Sequence, residues 1–289
     1  MIPEQHHHRT LVGEFELEGV GVHSGKNATV RVCPAPFGEG INFFVGETKL
    51  PAHIDFVVGG PGATILSDGQ VTVAVAEHLL AALSAHGVTD AQLRVDGAEL
   101  PILDGSAQPW FEAIQKTGVV DGPPIQSLTL LHPVRVEGDE GAFAELHPAD
   151  KFVFEISVDF ARLNGPVSSL CYEVGCDSFG KEVSWARTFV MEQEIPVLKA
   201  SGLGKGASLS NTLVWTPSGP RNEGGERGDD EVIRHKLLDA IGDLALVGSP
   251  LLTRVVIHRG GHQLNHKLLR EAIAQGALTV CEQAPSRCG

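Results

Sequence analysis

The chain lacks the long apolar run that a membrane span needs: no window reaches ~18 uninterrupted apolar residues. Its first residues, MIPEQHHHRT, carry no apolar stretch of the signal-peptide kind. These absences lead us to expect a cytoplasmic protein with no stable membrane insertion. No C-x-x-C pair occurs among the five cysteines, Cys33, Cys171, Cys176, Cys281 and Cys288. An odd count without close pairs argues against a disulfide framework or a cysteine-rich zinc site, and it suits a reducing compartment. The phosphate-cradling motifs G-x-x-x-x-G-K-[ST] and G-x-G-x-x-G are absent, as are G-x-S-x-G and H-E-x-x-H. A serine hydrolase and a single-helix metalloprotease site therefore have little support. Positive charge is short as well, with a formal net charge of -14. That balance argues against nucleic-acid binding, which needs a basic face. It does not prevent a small anionic ligand from binding in a local basic pocket.

What is present is ample for a core. The 289 residues are 42% hydrophobic, enough for one large domain or two of about 140 residues. Thirteen histidines are many; the run His6-His7-His8 reads as a disordered tail able to bind metal adventitiously. Residues 10–58 alternate apolar and polar positions with Gly and Pro punctuation, the pattern of short strands. Residues 74–86 have helical spacing, followed by strand-like AQLRV, the segment ELPILDGS and a helical run from Gln108 to Lys116. Asp121-Gly122-Pro123-Pro124 reads as a break. Strands resume with SLTLLHPVRVE, AFAELHP and KFVFEISVDF; a Gly-rich insert lies near 190–215, and the polar stretch 218–230 reads as a mobile loop. A helix from Glu231 to about Val247, a strand (TRVVIH) and a last helix from about Leu264 to Gln275 complete the chain. Both halves run through strands, a His-bearing helix, a strand and a helix. Two ordinary α+β segments can resemble each other by coincidence. A duplicated fold is the alternative, with domains at 1–124 and 125–289 and His78 and His235 at their seam.

Three constellations carry chemistry. His235 and Asp239 stand at i and i+4, one helical face about 5–6 Å apart, where they can grip one ion. Asp243 follows one turn on. The same spacing fits a solvated polar stripe. Glu77 and His78 are adjacent, so they project about 100° apart; one can ligate while the other leans over an open coordination position, as a catalytic zinc keeps. His78 also fits a histidine capping an amphipathic helix. His262 follows Gly260-Gly261, where backbone can approach a ligand, and can act as general acid for a departing amine or simply enter a helix. The hydroxyl of Thr188 in ARTF can stabilise an oxyanion or be an ordinary buried one.

Seven segments taken together resemble the UDP-3-O-acyl-N-acetylglucosamine deacetylase family of lipid A synthesis in Gram-negative bacteria: GVGVHSG (19–25), EHLLAAL (77–83), ELPILDGSA (99–107), VDF (158–160), ARTF (186–189), VIRHKLLDAIGDL (232–244) and GGHQLNHKLL (260–269). The resemblance implies an α+β fold of two similar domains, each a sheet with paired helices, the helical layers meeting face to face around the active site. It implies a zinc ion on His78, His235 and Asp239; iron(II) also suits two imidazoles and one carboxylate. It makes Glu77 the general base, His262 the general acid, Asp243 the orienter of that acid, and Thr188 and Lys236 the oxyanion donors. Substrate contacts fall on Phe160 for uridine, and on Asp159, Arg259 and Leu203. The implied reaction removes the N-acetyl group of a UDP-sugar lipid precursor as acetate, in a protein expected to be a monomer.

Some positions depart from the family pattern. Val75-Ala76 precede Glu77-His78 where T-V is usual, Gly228 stands where an aromatic is usual, and Lys205 and Ala207 replace an apolar residue and a glycine. Two further readings are a relative acting on another acylated amino sugar or sugar nucleotide, and a silent binding protein on the same fold. The joint presence of Glu77, the three ligands and His262 speaks against the second.

Overall fold

The computed structural model describes residues 6–60 and 62–281; Cys288 lies outside the described residues. Ten strands build two five-stranded sheets. The first half supplies β1 (Phe15–Val20), β2 (Asn27–Pro34), β3 (Ile41–Val45), β4 (Thr48–Pro51) and β5 (Ala91–Asp96), in the order β1-β2-β5-β3-β4. The second supplies β6 (Val134–Glu137), β7 (Phe143–Pro148), β8 (Phe152–Asp159), β9 (Val167–Glu173) and β10 (Thr253–His258), in the order β6-β7-β10-β8-β9. The two orders are identical. In each sheet the last strand enters the centre, antiparallel to the second strand and parallel to the third. A parallel neighbour needs a long crossover, and both halves place their main helix in that crossover. Chance likeness would not repeat order and strand sense together, so the repeat in the sequence is a repeat of the fold.

The smaller elements repeat too. His7–Leu11 pairs with Val119–Pro124, and Leu128–Leu130 pairs with Leu278–Val280, so each half is closed by its own first and last strands. His7 and His8 are therefore in a strand, not in a disordered tail. His8 Nδ1 lies 2.8 Å from Asp90 Oδ2, and His6 Nδ1 lies 2.8 Å from the Ser127 hydroxyl. Each half also carries a three-stranded insert ahead of its main helix: Val57–Val58, Ile65–Ser67 and Thr72–Ala74 in the first, Phe189–Met191, Leu213–Thr216 and Gly219–Pro220 in the second.

The helices are α1 (Glu77–Ala85), α2 (Gln108–Thr117), α3 (Cys176–Glu182), α4 (Ile195–Ala200), α5 (Glu231–Leu244) and α6 (His262–Ala274). α1 begins later than the spacing predicts. Thr72–Ala74 is still strand, and Val75 then takes φ +60, a left-handed turn that a β-branched residue rarely accepts. Every α1 residue but Ser84 is buried, as befits a helix apolar on nearly all sides. α1 packs against α2 and α5, and α6 against α5 and the sheet of the second half. The helices thus form the inner layers, and one hydrophobic cluster runs through both halves.

Two contacts set how closely the layers approach. A Cβ on Gly242 of α5 would stand 2.1 Å from the Glu77 carbonyl oxygen, so glycine lets α5 touch the start of α1. Gly105, with φ +91, lies where a Cβ would meet the Asn211 carbonyl oxygen at 1.8 Å. The stretch 218–230 is tied down rather than loose. Asn222 donates to the Leu209 and Thr212 carbonyls, Arg227 donates to Asp104 and to the Trp185 carbonyl, and the Trp185 ring packs on Gly228. No helix among the described residues is long and apolar enough to cross a membrane. Cys33, Cys171, Cys176 and Cys281 are free.

Candidate metal centre and active site

α1 delivers His78 from the first half, and α5 delivers His235 and Asp239 from the second. Their ligand atoms all lie within 4.8 Å of one another. His235 Nε2 is 3.3 Å and His78 Nε2 3.8 Å from Asp239 Oδ1, and the two imidazoles meet edge to face with centroids 5.0 Å apart. All three residues are buried. His235 Nδ1 sits 3.0 Å from the Ala186 carbonyl oxygen. A carbonyl only accepts, so Nδ1 carries the proton and Nε2 keeps its lone pair for the centre. Burial pushes both imidazoles toward the neutral form, His78 to about 3. Burial also opposes ionisation of Asp239, but the surrounding His235, His262, Lys236 and His78 outweigh it and hold the carboxyl below its usual range. Asp239 Oδ1 is buried with no hydrogen-bond donor. A buried carboxylate oxygen left unsatisfied is costly, and a cation among these three groups would satisfy it. Two neutral imidazoles and one carboxylate with an unused oxygen fit a divalent metal.

Glu77 and His262 flank this cluster. His262 Nε2 lies 3.9 Å from Glu77 Oε1 and 3.8 Å from Asp239 Oδ2. Burial pushes the Glu77 carboxyl up to about 8. Burial would lower His262, but Asp243, Asp239 and Glu77 outweigh it and raise the imidazole to about 10. His262 Nδ1 donates to Asp243 Oδ2 at 2.9 Å. Asp243 is fully buried and held well below the carboxylate range, its burial outweighed by the His262 charge and hydrogen bonds. Asn265 Nδ2 donates to the same oxygen at 2.8 Å. The Thr64 hydroxyl donates to the other oxygen, Oδ1, and the Thr64 amide donates to Glu77 Oε2 at 3.0 Å.

Lys236 also reaches the cluster, with Nζ 3.7 Å from Asp239 Oδ2 and 5.5 Å from the centre of the Phe189 ring. A small cleft lined by Lys236, Asp239, Gly260, Gly261 and Asn265 opens beside it. Thr188 sits just before Phe189, its amide donating to the Gly105 carbonyl at 2.7 Å. Phe160 stands edge to face on Phe189 at 5.5 Å, and Phe189 in turn on His235 at 6.1 Å. The other three expected contacts have local partners. Asp159 Oδ1 accepts from the Ala161 amide, Arg259 donates to the Glu140 carbonyl, and the Leu203 amide closes the turn after α4 onto Leu198. None of the three hydrogen-bonds or ion-pairs with the central cluster among the described residues.

Several residues of the site escape a reading of the sequence. Asn265 and His266 follow His262 at i+3 and i+4 on α6, a spacing that places them on its face. Thr64 carries no such signal. The Arg187–Glu231 pair is buried; Arg187 Nε and Nη2 grip the two Glu231 oxygens at 2.8 and 2.9 Å, and the Arg187 amide adds a third bond. That clamp anchors the segment whose Ala186 carbonyl orients His235.

A family model described as "LpxC: UDP-3-O-acyl N-acetylglycosamine deacetylase" matches residues 8–274. The chain belongs to this family. Among LpxC relatives, the UDP-3-O-acyl-N-acetylglucosamine deacetylase of Myxococcus xanthus (strain DK1622) is 37% identical over 278 residues, covering 95% of this chain and 88% of its own. That of Anaeromyxobacter sp. (strain Fw109-5) is 39% identical over 270 residues, 92% of this chain and 88% of its own. That of Pseudomonas entomophila (strain L48) is 37% identical over 273 residues, 92% and 90% respectively. The elements from β1 (Phe15–Val20) to α6 (His262–Ala274) fall inside the span matched by the LpxC model.

Proposed function

We propose that the chain hydrolyses the N-acetyl group of a UDP-3-O-acyl-N-acetylglucosamine in lipid A synthesis, releasing acetate, with zinc held by His78, His235 and Asp239. Iron(II) suits the same donors. The observation that carries this reading is the buried, donorless Asp239 Oδ1 facing two neutral imidazoles, with an acid and a base on either side. When bound, the ion supplies Lewis acidity, polarising the acetyl carbonyl and making water a better acid. Glu77, in its ionised form, takes the proton of the attacking water; a divalent cation on the neighbouring donors would favour that form over the neutral one that burial favours. The Thr188 hydroxyl and the Lys236 ammonium donate to the oxyanion that develops on the acetyl carbonyl oxygen. His262, held protonated by Asp243, gives its Nε2 proton to the leaving nitrogen as the C–N bond breaks. The products are acetate and the free amine. Phe160 offers a ring for the uracil, next to the Phe189 edge. Asp159 and Arg259 join it by exchanging their local hydrogen bonds for the nucleotide, and Leu203 meets the acyl chain. We place the reaction in the cytoplasm, a compartment that suits the free cysteines.

The test is acetate release by the full chain, stripped of metal and given one equivalent of zinc or of iron(II). The full chain is required because His7 and His8 are part of a strand. Restored turnover with the 3-O-acylated nucleotide supports the reading. Metal binding without turnover moves weight to another acylated sugar, and failure to bind metal removes the site.

A further inference from the structure

We infer that Thr64 is a positioning residue that holds the acid and the base of the active site in one fixed relation. The inference rests on the deacetylase reading above. Thr64 is fully buried. Its amide N–H donates to Glu77 Oε2 at 3.0 Å, and its hydroxyl donates to Asp243 Oδ1. It is thus the one residue among the described ones with a hydrogen bond to both the base and the carboxylate that orients the acid. The hydroxyl has a single hydrogen, committed to Asp243. His266 Nε2, 3.0 Å from Thr64 Oγ1 and 3.3 Å from Asp243 Oδ1, therefore faces two acceptors and donates to that pair. His262 Nδ1 lies 3.4 Å from the same oxygen, too long to add a strong bond. With Asn265 and His262 on Asp243 Oδ2 and Thr64 on Oδ1, every oxygen of the buried carboxylate has a donor.

The fold explains how a threonine distant in sequence arrives there. Thr64 immediately precedes the Ile65–Ser67 strand of the first insert, as Thr188 precedes the Phe189–Met191 strand of the second. Each half thus lends the seam one threonine from its insert. The first half's threonine faces Glu77, Asp243 and the histidines of α6. Without its hydroxyl, Asp243 can rotate about its side chain, and His262 follows because its Nδ1 has no other short acceptor among the described residues. The Glu77 arm is a backbone bond and survives side-chain substitution. Loss of the hydroxyl therefore acts on the acid alone. It is expected to lower kcat, leave KM unchanged and leave the metal in place.

The experiment compares wild type, Thr64→Val, Thr64→Ala and Thr64→Ser as full chains loaded with zinc. Expected for Val is a roughly 10–100-fold fall in kcat, the usual size for an orienting partner at a metal site, with unchanged KM and metal content. Ser should recover most of the rate. Ala, which leaves room for a water, takes the place of Val if that variant does not fold. Wild-type kcat in Val or Ala overturns the inference, and so does a loss in Ser equal to that in Val. A second readout needs no turnover: histidine-ring 15N resonances of His262 and His266 should shift together in Val. Unchanged resonances also overturn it, whereas an inactive wild type with shifted resonances counts against the deacetylase reading alone.

Discussion

Asp239 and Glu231 are both buried carboxylates on α5, yet one has an oxygen with no donor and the other has four. They make different predictions. Asp239 is expected to be a ligand, so Asp239→Ala or His78→Ala should lose both metal content and rate. Glu77→Gln should lose rate by at least roughly 100-fold, within the range for general-base removal, while metal stays bound. Metal content by atomic absorption beside acetate release separates the two cases; full rate in Glu77→Gln removes the base assignment. Glu231 is expected to govern acid stability. Burial raises its pKa, and the Arg187 hydrogen bonds outweigh that and lower it. A depressed folded-state pKa means the stabilisation is complete above the unfolded value near roughly 4.3 and is lost as pH falls through the folded one. Melting temperature should therefore drop steeply below that pH. Glu231→Gln should flatten this limb and cost roughly 3–5 kcal/mol at neutral pH, because it leaves Arg187 buried without its counter-charge. An unchanged acid limb in that variant counts against the pair.

At the scale of elements, the meeting of α1 and α5 depends on one absent side chain. Replacing a mid-helix glycine by alanine ordinarily gains up to about 1 kcal/mol. At Gly242 the added Cβ would stand 2.1 Å from the Glu77 carbonyl oxygen, so the helices must part. Gly242→Ala is expected to reverse the sign, destabilising by about 1–3 kcal/mol as overpacking does. It should also weaken metal binding, since α1 carries His78 and α5 carries its two partners. Denaturant midpoint and metal affinity check this; a stabilised variant with wild-type affinity would contradict it. The same two helices show what the sequence makes legible. Their periodicity, and the i, i+4 spacing of His235 and Asp239, are local and readable. The start of α1 is not local: Val75 turns left-handed against its own preference, under tertiary control. Thr64, the Ala186 carbonyl and the Arg187–Glu231 clamp were invisible because each acts across 13 or more residues through backbone or buried polar bonds. The loop 218–230 misled in the other direction: its polar, glycine-rich composition conceals Asn222 and Arg227, which fasten it.

At the scale of the molecule, the two halves repeat one topology, and we place their division at 124/125, where the pairing strands of the first half end and those of the second begin. The candidate site belongs to neither half. His78 comes from one, His235 and Asp239 from the other, and Arg227 joins Asp104 across the same seam. A metal on these ligands is a cross-link between the halves, present only when both are folded and docked. It should therefore stabilise the whole chain by mass action, by about 2.7 kcal/mol at a hundredfold excess over Kd. For a chain of this size that corresponds to a rise in melting temperature of roughly 4–5 °C. Chelation should reverse the rise for the entire transition rather than for one half, and His235→Ala should melt at the same temperature with and without metal. Equal melting temperatures for loaded and stripped wild type would mean that the ion does not bridge the seam. A split transition on chelation would mean that the halves hold together through the metal more than through the continuous apolar cluster between them.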